Sequence, residues 1–439
     1  MLGIKPGEVL EGGQTWIGPA PWIEITPPGP NSQAVISRQR RLGTPVDSAT
    51  PPLVIYRGLG SVIQDVDGNR YLDFAAGLAA AATGHCHPKV AEAIEAQART
   101  LVHTPGSDVL HPPIVELSEK LAGLLPDEPF DRVLPTSGGR EAVSVSIRLA
   151  QDYTERRRII ALGKGSPIAA TGSTSLTCSE VDRPGWFDAV QPGVEYVPFG
   201  SVEVIESQLS RSRLSPDNVA AVLVETIRVE GDCILGEAAF FHELRAWCDT
   251  HRILLVCDEI RSGAGRTGKW FAFEHMNILP DIVALGRSLA SGMPLGAVLT
   301  RAEIADSSAD VRAGGIGGNP VCCAAALATV DLINSTFRAN AELQGRGLLK
   351  RLAEIEDRKR IVGQVRGIGL MCAFDIVSLK TQKPSPATRD RLLRHCFERG
   401  LLLRACGTAG ILLCPPLCIN EAQIDVGLRV LEEALSAAS

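Results

Sequence analysis

Asp258 closes the apolar run Ile253-Leu254-Leu255-Val256-Cys257 and so stands at the end of a strand that reads as buried. A carboxylate in such a place needs a cation or a proton as its partner. His85 and His87, on either side of Cys86 and ahead of Pro88, mark a helix start, where imidazoles serve structure more readily than catalysis. The twelve cysteines lie mostly in apolar surroundings (LLVCDE, VCCAAALA, LMCAF, ILLCPPLC). None forms a paired CxxC set, so they read as reduced core thiols, Cys322 and Cys323 at a helix start among them, and no metal site is expected. Basic charge is carried unevenly, by nine lysines among 44 basic residues.

The elements that must position these groups follow from length and patterning. A chain of 439 residues with 45% hydrophobic and 21% charged residues is long enough for two or three folded domains and excludes a disordered or fibrous protein. The formal charge of −6 is interspersed, without the basic stripe of a nucleic-acid binder or the polybasic tract of a membrane-surface protein. No apolar run reaches the roughly 18 residues that span a bilayer, and the N-terminus lacks the basic-then-apolar order of a signal peptide. A cytoplasmic protein is expected. Residues 1 to 50 are rich in Pro and Gly and read as an arm. The segments 61–66 and 70–74 flank the turn Asp67-Gly68-Asn69 as a hairpin. Amphipathic stretches at 88–103, 112–125, 140–156, 238–250 and 321–335 then alternate with apolar runs at 158–162, 219–224, 253–257, 281–285 and 296–300. That order predicts an α/β fold with a mostly parallel sheet covered on both faces. The last hundred residues change to a smaller α+β pattern: helix at 337–356, strand at 370–376, helix at 386–399, short strands at 401–404 and 411–414, and a closing helix after Asn420.

Several segments in order resemble the class III (ω-)aminotransferases, enzymes of the pyridoxal phosphate (PLP) fold type I. They are Asp65-Val66-Asp67-Gly68-Asn69 with Tyr71-Leu72-Asp73-Phe74, Gly84-His85-Cys86-His87-Pro88, and Cys257-Asp258-Glu259-Ile260 running into Gly265-Arg266-Thr267-Gly268 through His275. Pro280-Asp281-Ile282-Val283 through Val298, Gly318-Asn319-Pro320 and Pro415-Pro416-Leu417 continue the likeness over almost the whole chain. The resemblance implies an arm and hairpin over 1–75 that joins the small domain, a large α/β domain over 76–325, a small domain over 326–439, and a homodimer, or a dimer of dimers, with sites across the subunit interface.

The resemblance places the partner of the cofactor's ring nitrogen at Asp258. It also exposes departures. The residue matching the family's Schiff-base lysine is Arg287, whose guanidinium stays protonated and forms no stable imine with an aldehyde. Lys164 and Lys269 are the nearest amines in sequence. The ring-stacking segment reads Gly165-Ser166-Pro167-Ile168, the phosphate cup reads Gly138-Gly139-Arg140, and the segment that supplies the neighbouring subunit's phosphate threonine reads Gly314-Gly315-Ile316-Gly317-Gly318. The family's substrate-carboxylate arginine falls at Leu412 or Ile411. His103 and His111 flank a turn that lines the family's cleft, and either could serve as a general base.

Four arginines arrive in place of what is lost: Arg140 at the phosphate cup, Arg228 and Arg261 where glutamines are usual, and Arg287 at the lysine. On a retained backbone they would face one cavity at the carboxyl ends of the strands, partly paired by Asp258, Glu225 and Glu230, and suit an anionic ligand. Glu230, having lost its family partner near position 412, is a candidate acid or base. The expectation drawn from these changes is an enzyme without covalent PLP, acting cofactor-independently on an anionic small molecule through Arg287, Glu230 and Asp258, with Arg140, Arg228 and Arg261 binding the anion. Residual non-covalent PLP is left open. The alternatives are a PLP-dependent aminotransferase or amino-acid racemase, and a non-catalytic ligand-binding homologue.

Overall fold

The computed structural model describes residues 18–43, 51–104, 109–125, 130–163, 193–228, 233–308 and 317–438. The chain divides into two compact units, Glu92–Arg338 and the pair Met1–Ala91 with Ala339–Ser439.

Among the described residues, the first unit is built on a seven-stranded sheet. Its order is Arg132–Thr136, Gly296–Thr300, Ile282–Leu285, Leu254–Asp258, Val219–Glu225, Arg158–Leu162 and Val194–Val197. Only Gly296–Thr300 runs against its neighbours; the remaining pairings are parallel. The expected apolar runs become these strands because they are buried on both faces: Val219 to Val224 and all of Leu254–Asp258 are buried. The helix Gly139–Thr154 turns Val143, Ile147, Leu149 and Ala150 into the same core, and full burial of each larger side chain is worth about 1.5–3 kcal/mol. At the amino edge the Asp281 carboxylate accepts from the Leu255 N–H at 2.7 Å and pairs with Arg245 and Arg301, which pins the strand starts.

The helix Pro320–Leu332 begins at Asn319, whose Oδ1 accepts from the Val321 and Cys322 N–H groups at 2.9 and 3.2 Å, with Pro320 at a position that needs no donor. The helical stretch Pro320–Arg358 holds one 18-residue window long and apolar enough, by length and composition, to cross a membrane; 56% of that window is buried inside the protein, as in a core helix. Cys322 and Cys323 are buried there, and desolvation pushes the Cys323 thiol up to about 12.

Among the described residues, the second unit has two four-stranded sheets. One holds Ile55–Leu59, Val62–Asp65, Arg70–Asp73 and Leu401–Leu402; the other holds Val362–Ile368, Met371–Ile376, Gly410–Leu413 and Arg404–Cys406. The hairpin turn is fixed by Asp65, whose carboxylate accepts from the Asp67 and Asn69 N–H groups, the Asn69 amide and the Tyr71 hydroxyl, all at 2.9 Å. The arm contains a helix that local periodicity does not reveal, Pro30–Leu42. Its first-turn donors, Asn31 N and Ser32 N, are capped by the Asp67 carboxylate at 2.7 and 2.9 Å, a partner 36 and 35 residues away. Ile411 and Leu412 are buried in the Gly410–Leu413 strand. Ala76, Gly77, Leu78 and Ala79 all have positive φ, between 46° and 67°, a left-handed turn that costs about 1–2 kcal/mol per non-glycine residue. Asp73 holds it by accepting from Ala75 N and Ala76 N at 2.8 and 2.9 Å, while its other oxygen bonds His85 Nε2 at 2.8 Å.

Candidate active site

The parallel register sets Asp258 level with Glu225 on one side and Ala284 on the other, at the carboxyl edge of the sheet, where open α/β sheets bind ligands. Asp258 is 6% exposed and accepts from the Ile260 N–H at 3.0 Å. Burial raises its carboxyl to about 6, while the Ile260 N–H, Arg261 and then Arg287 pull the other way and Glu259 adds to the rise. The two guanidinium groups therefore act on the same carboxylate. Arg261 is buried at 8% exposure and Arg287 is half-buried.

Glu259, the next residue, has a different task. It is buried and accepts from the Thr226 and Ser262 hydroxyls at 2.8 and 2.6 Å and from the Ala272 and Phe273 N–H groups at 3.0 Å. Every lone-pair direction is committed, so this carboxylate ties the strand ends to the 261–273 turn and leaves Asp258 as the group with chemical freedom.

Glycines let the strand ends converge. A Cβ on Gly286 would meet Gly139 Cα and N at 2.7 and 2.8 Å, and one on Gly296 would meet Gly138 C at 2.6 Å. Residue 287 is thereby carried to within one residue of the point where the loop after Ile282–Leu285 touches the start of the helix Gly139–Thr154. That helix start is shaped by Glu141, whose Oε2 accepts from both the N–H and the hydroxyl of Ser137 at 2.6 Å. A Cβ on Gly138 would meet nothing within 4 Å, so there is open space beside Gly138, the residue that precedes the helix's first-turn N–H groups. The dipole of a 16-residue helix and those donors make the place suited to an anion.

The sequence-derived candidates are distributed unevenly. Arg261 and Arg287 both act electrostatically on Asp258. Arg228 extends over the Phe199 ring, 5.9 Å from its centroid, with its Cδ 3.1 Å from where a Gly163 Cβ would be. Arg140 is exposed on the first helical turn. Glu230, Lys164, the segment 165–168 and residues 314–316 lie outside the described residues. His111 is excluded as a base by its bonds: Nδ1 accepts from Ile114 N at 3.3 Å and Nε2 faces the Gly318 carbonyl at 2.9 Å, so the ring is a buried helix cap. His103 is exposed. Lys269 donates to the Glu274 carbonyl at 3.0 Å and Lys120 pairs with Asp331 at 2.5 Å. Sequence reading missed the Glu259–Thr226 bond, the Gly286–Gly139 contact and the Phe199–Phe240–Phe241 cluster beside Arg228. A buried acid directly after Asp258 was the one signal that could have pointed to the first.

Residues 44–435 match the family described as aminotransferase class-III. The chain is 32% identical to the alanine/serine racemase of Pyrococcus horikoshii, over 94% of this chain and 92% of the racemase. It is 33% identical to the 5-aminovalerate aminotransferase of Pseudomonas putida, over 88% and 94% of the two chains. Among solved structures, an amine transaminase from an uncultivated Pseudomonas species in a PLP-bound form superposes with a TM-score of 0.83 at 30% identity, covering 91% of this chain and 98% of that one. These relatives overturn the expectation of a cofactor-independent enzyme that is no transaminase: they are aminotransferases and a racemase, and one is solved with PLP. The physical reason lies in what persists, since the erosion at 287 and 165–168 left the buried Asp258 and the glycine-built helix start. With a family match over most of its length and a fold of PLP type I, the chain belongs to the class III aminotransferases.

Proposed function

We propose that this chain is a PLP-dependent enzyme that works at the amino-bearing carbon of a small anionic substrate, as an aminotransferase or an amino-acid racemase, in the cytoplasm and as a homodimer. When bound, PLP supplies an electron sink for the bond broken at that carbon. Two of the three attachments it needs fit. Asp258, buried and flanked by Arg261 and Arg287, would hold the proton on the ring nitrogen. The first-turn N–H groups of Gly139–Thr154, with open space at Gly138, would take the phosphate. Arg228 and Arg261 would bind the substrate's anionic group. The third attachment, an amine at position 287, does not fit, because the residue there is arginine. The observation that carries the reading is the pairing of a buried carboxylate with an open helix N-terminus at one sheet edge, in a chain 31–34% identical to named aminotransferases over most of its length.

The test is calorimetric titration of the full-length protein with PLP, then incubation of the loaded protein with amino donors and 2-oxo acids under chiral chromatography. New amine from the acceptor supports the aminotransferase, and loss of enantiomeric purity supports the racemase. Absence of any heat of PLP binding refutes both.

A further inference from the structure

We infer that this chain holds PLP as a dissociable ligand, exchanging with solution like a second substrate, because Arg287 stands between the two anchors where a covalent tether would need an amine. The inference rests on the proposed function and deepens it. Gly286 packs on the backbone of Gly139, so residue 287 emerges beside the helix start that would hold the phosphate. The Arg287 guanidinium also acts on Asp258, which would hold the other end of the ring. A group between those anchors is within reach of whatever the ring carries. A guanidinium stays protonated in proteins and has no lone pair to offer an aldehyde. Among the described residues of the same unit, the two lysine amines are engaged elsewhere, Lys120 with Asp331 and Lys269 with the Glu274 carbonyl. Without a tether, affinity comes only from the ring-nitrogen pair and the phosphate cradle. The amine form of the vitamin, pyridoxamine phosphate, makes the same contacts and should bind comparably.

The experiment uses full-length protein loaded with PLP. One portion is dialysed against cofactor-free buffer; another is treated with borohydride, denatured and weighed by intact-mass spectrometry. The wild type should lose its cofactor on dialysis and show an unmodified mass. In Arg287→Lys the new ε-amine condenses with the aldehyde, releasing one water and forming a C=N bond. Borohydride then delivers hydride to carbon, and water supplies the proton to nitrogen. The variant should therefore keep a reduced cofactor after denaturation, mapped to residue 287. A wild-type mass gain, mapped to Lys164 or any other side chain, overturns the inference while leaving the proposed function standing. Should the variant not fold, titration of the wild type decides: affinities for PLP and pyridoxamine phosphate within about tenfold support a dissociable ligand, and a preference for the aldehyde well beyond that overturns it. No binding of either form refutes the proposed function itself.

Discussion

Replacing Asp258 by asparagine tests whether this carboxylate is kept for a ligand at the expense of stability. Burial lifts its carboxyl from 3.8 to about 6 in the folded chain, even with Arg261 and Arg287 nearby. Between those two values the folded state binds more protons than the unfolded state. Stability without cofactor must therefore fall as pH rises through that window and stay lower above it. The displacement corresponds to about 3 kcal/mol. A neutral amide of the same shape escapes this cost, so Asp258→Asn should be more stable than wild type by up to about 3 kcal/mol near neutral pH and equal to it below about pH 4. Urea unfolding of the cofactor-free proteins, followed by fluorescence at a series of pH values, reads the difference directly. The same substitution removes a charged partner from the ring nitrogen, so the affinity for PLP should fall by about tenfold to a hundredfold, equivalent to about 1.5–3 kcal/mol. A variant less stable than wild type at neutral pH, or a gain that does not change with pH, would refute the reasoning and make Asp258 a structural residue.

Gly286→Ala meets no backbone penalty, since φ is −173°, but its Cβ would lie 2.7 Å from Gly139 Cα. Overpacking of this kind costs about 1–3 kcal/mol and displaces the helix start, so both the unfolding midpoint and the affinity for inorganic phosphate should drop. A variant unchanged in both would show that the contact yields freely. Glu259→Gln places an NH₂ against either the Ala272 or the Phe273 N–H, whichever way the amide turns. A loss of about 1–3 kcal/mol in chemical unfolding is expected, and a neutral effect would mean that the four bonds do not hold the turn together.

Much of the architecture was legible before any coordinates. The helices Pro88–Thr100 and Ala238–His251 and the strands Arg158–Leu162 and Val219–Glu225 follow hydrophobic periodicity, which is a local property. The helix Pro30–Leu42 escaped because its cap comes from Asp67, and the strand Val362–Ile368 because its pattern is only partly buried. Arginine at 287 is likewise a fact of sequence, and side-chain chemistry alone says that it forms no stable imine.

Which charges matter was not legible. The sequence presents Arg140, Arg228, Arg261 and Arg287 as equals, and adjacent Asp258 and Glu259 as alike; the fold exposes Arg140, sets Arg228 on Phe199, and brings Arg261 and Arg287 to Asp258. It saturates Glu259 with four donors and lifts Asp258 by burial. Residue type is written position by position, and so the sequence determined the sheet, the family likeness and the missing amine. Desolvation and the convergence of strand ends depend on segments more than a hundred residues apart meeting at Gly139 and Gly286, and only the tertiary structure decided those.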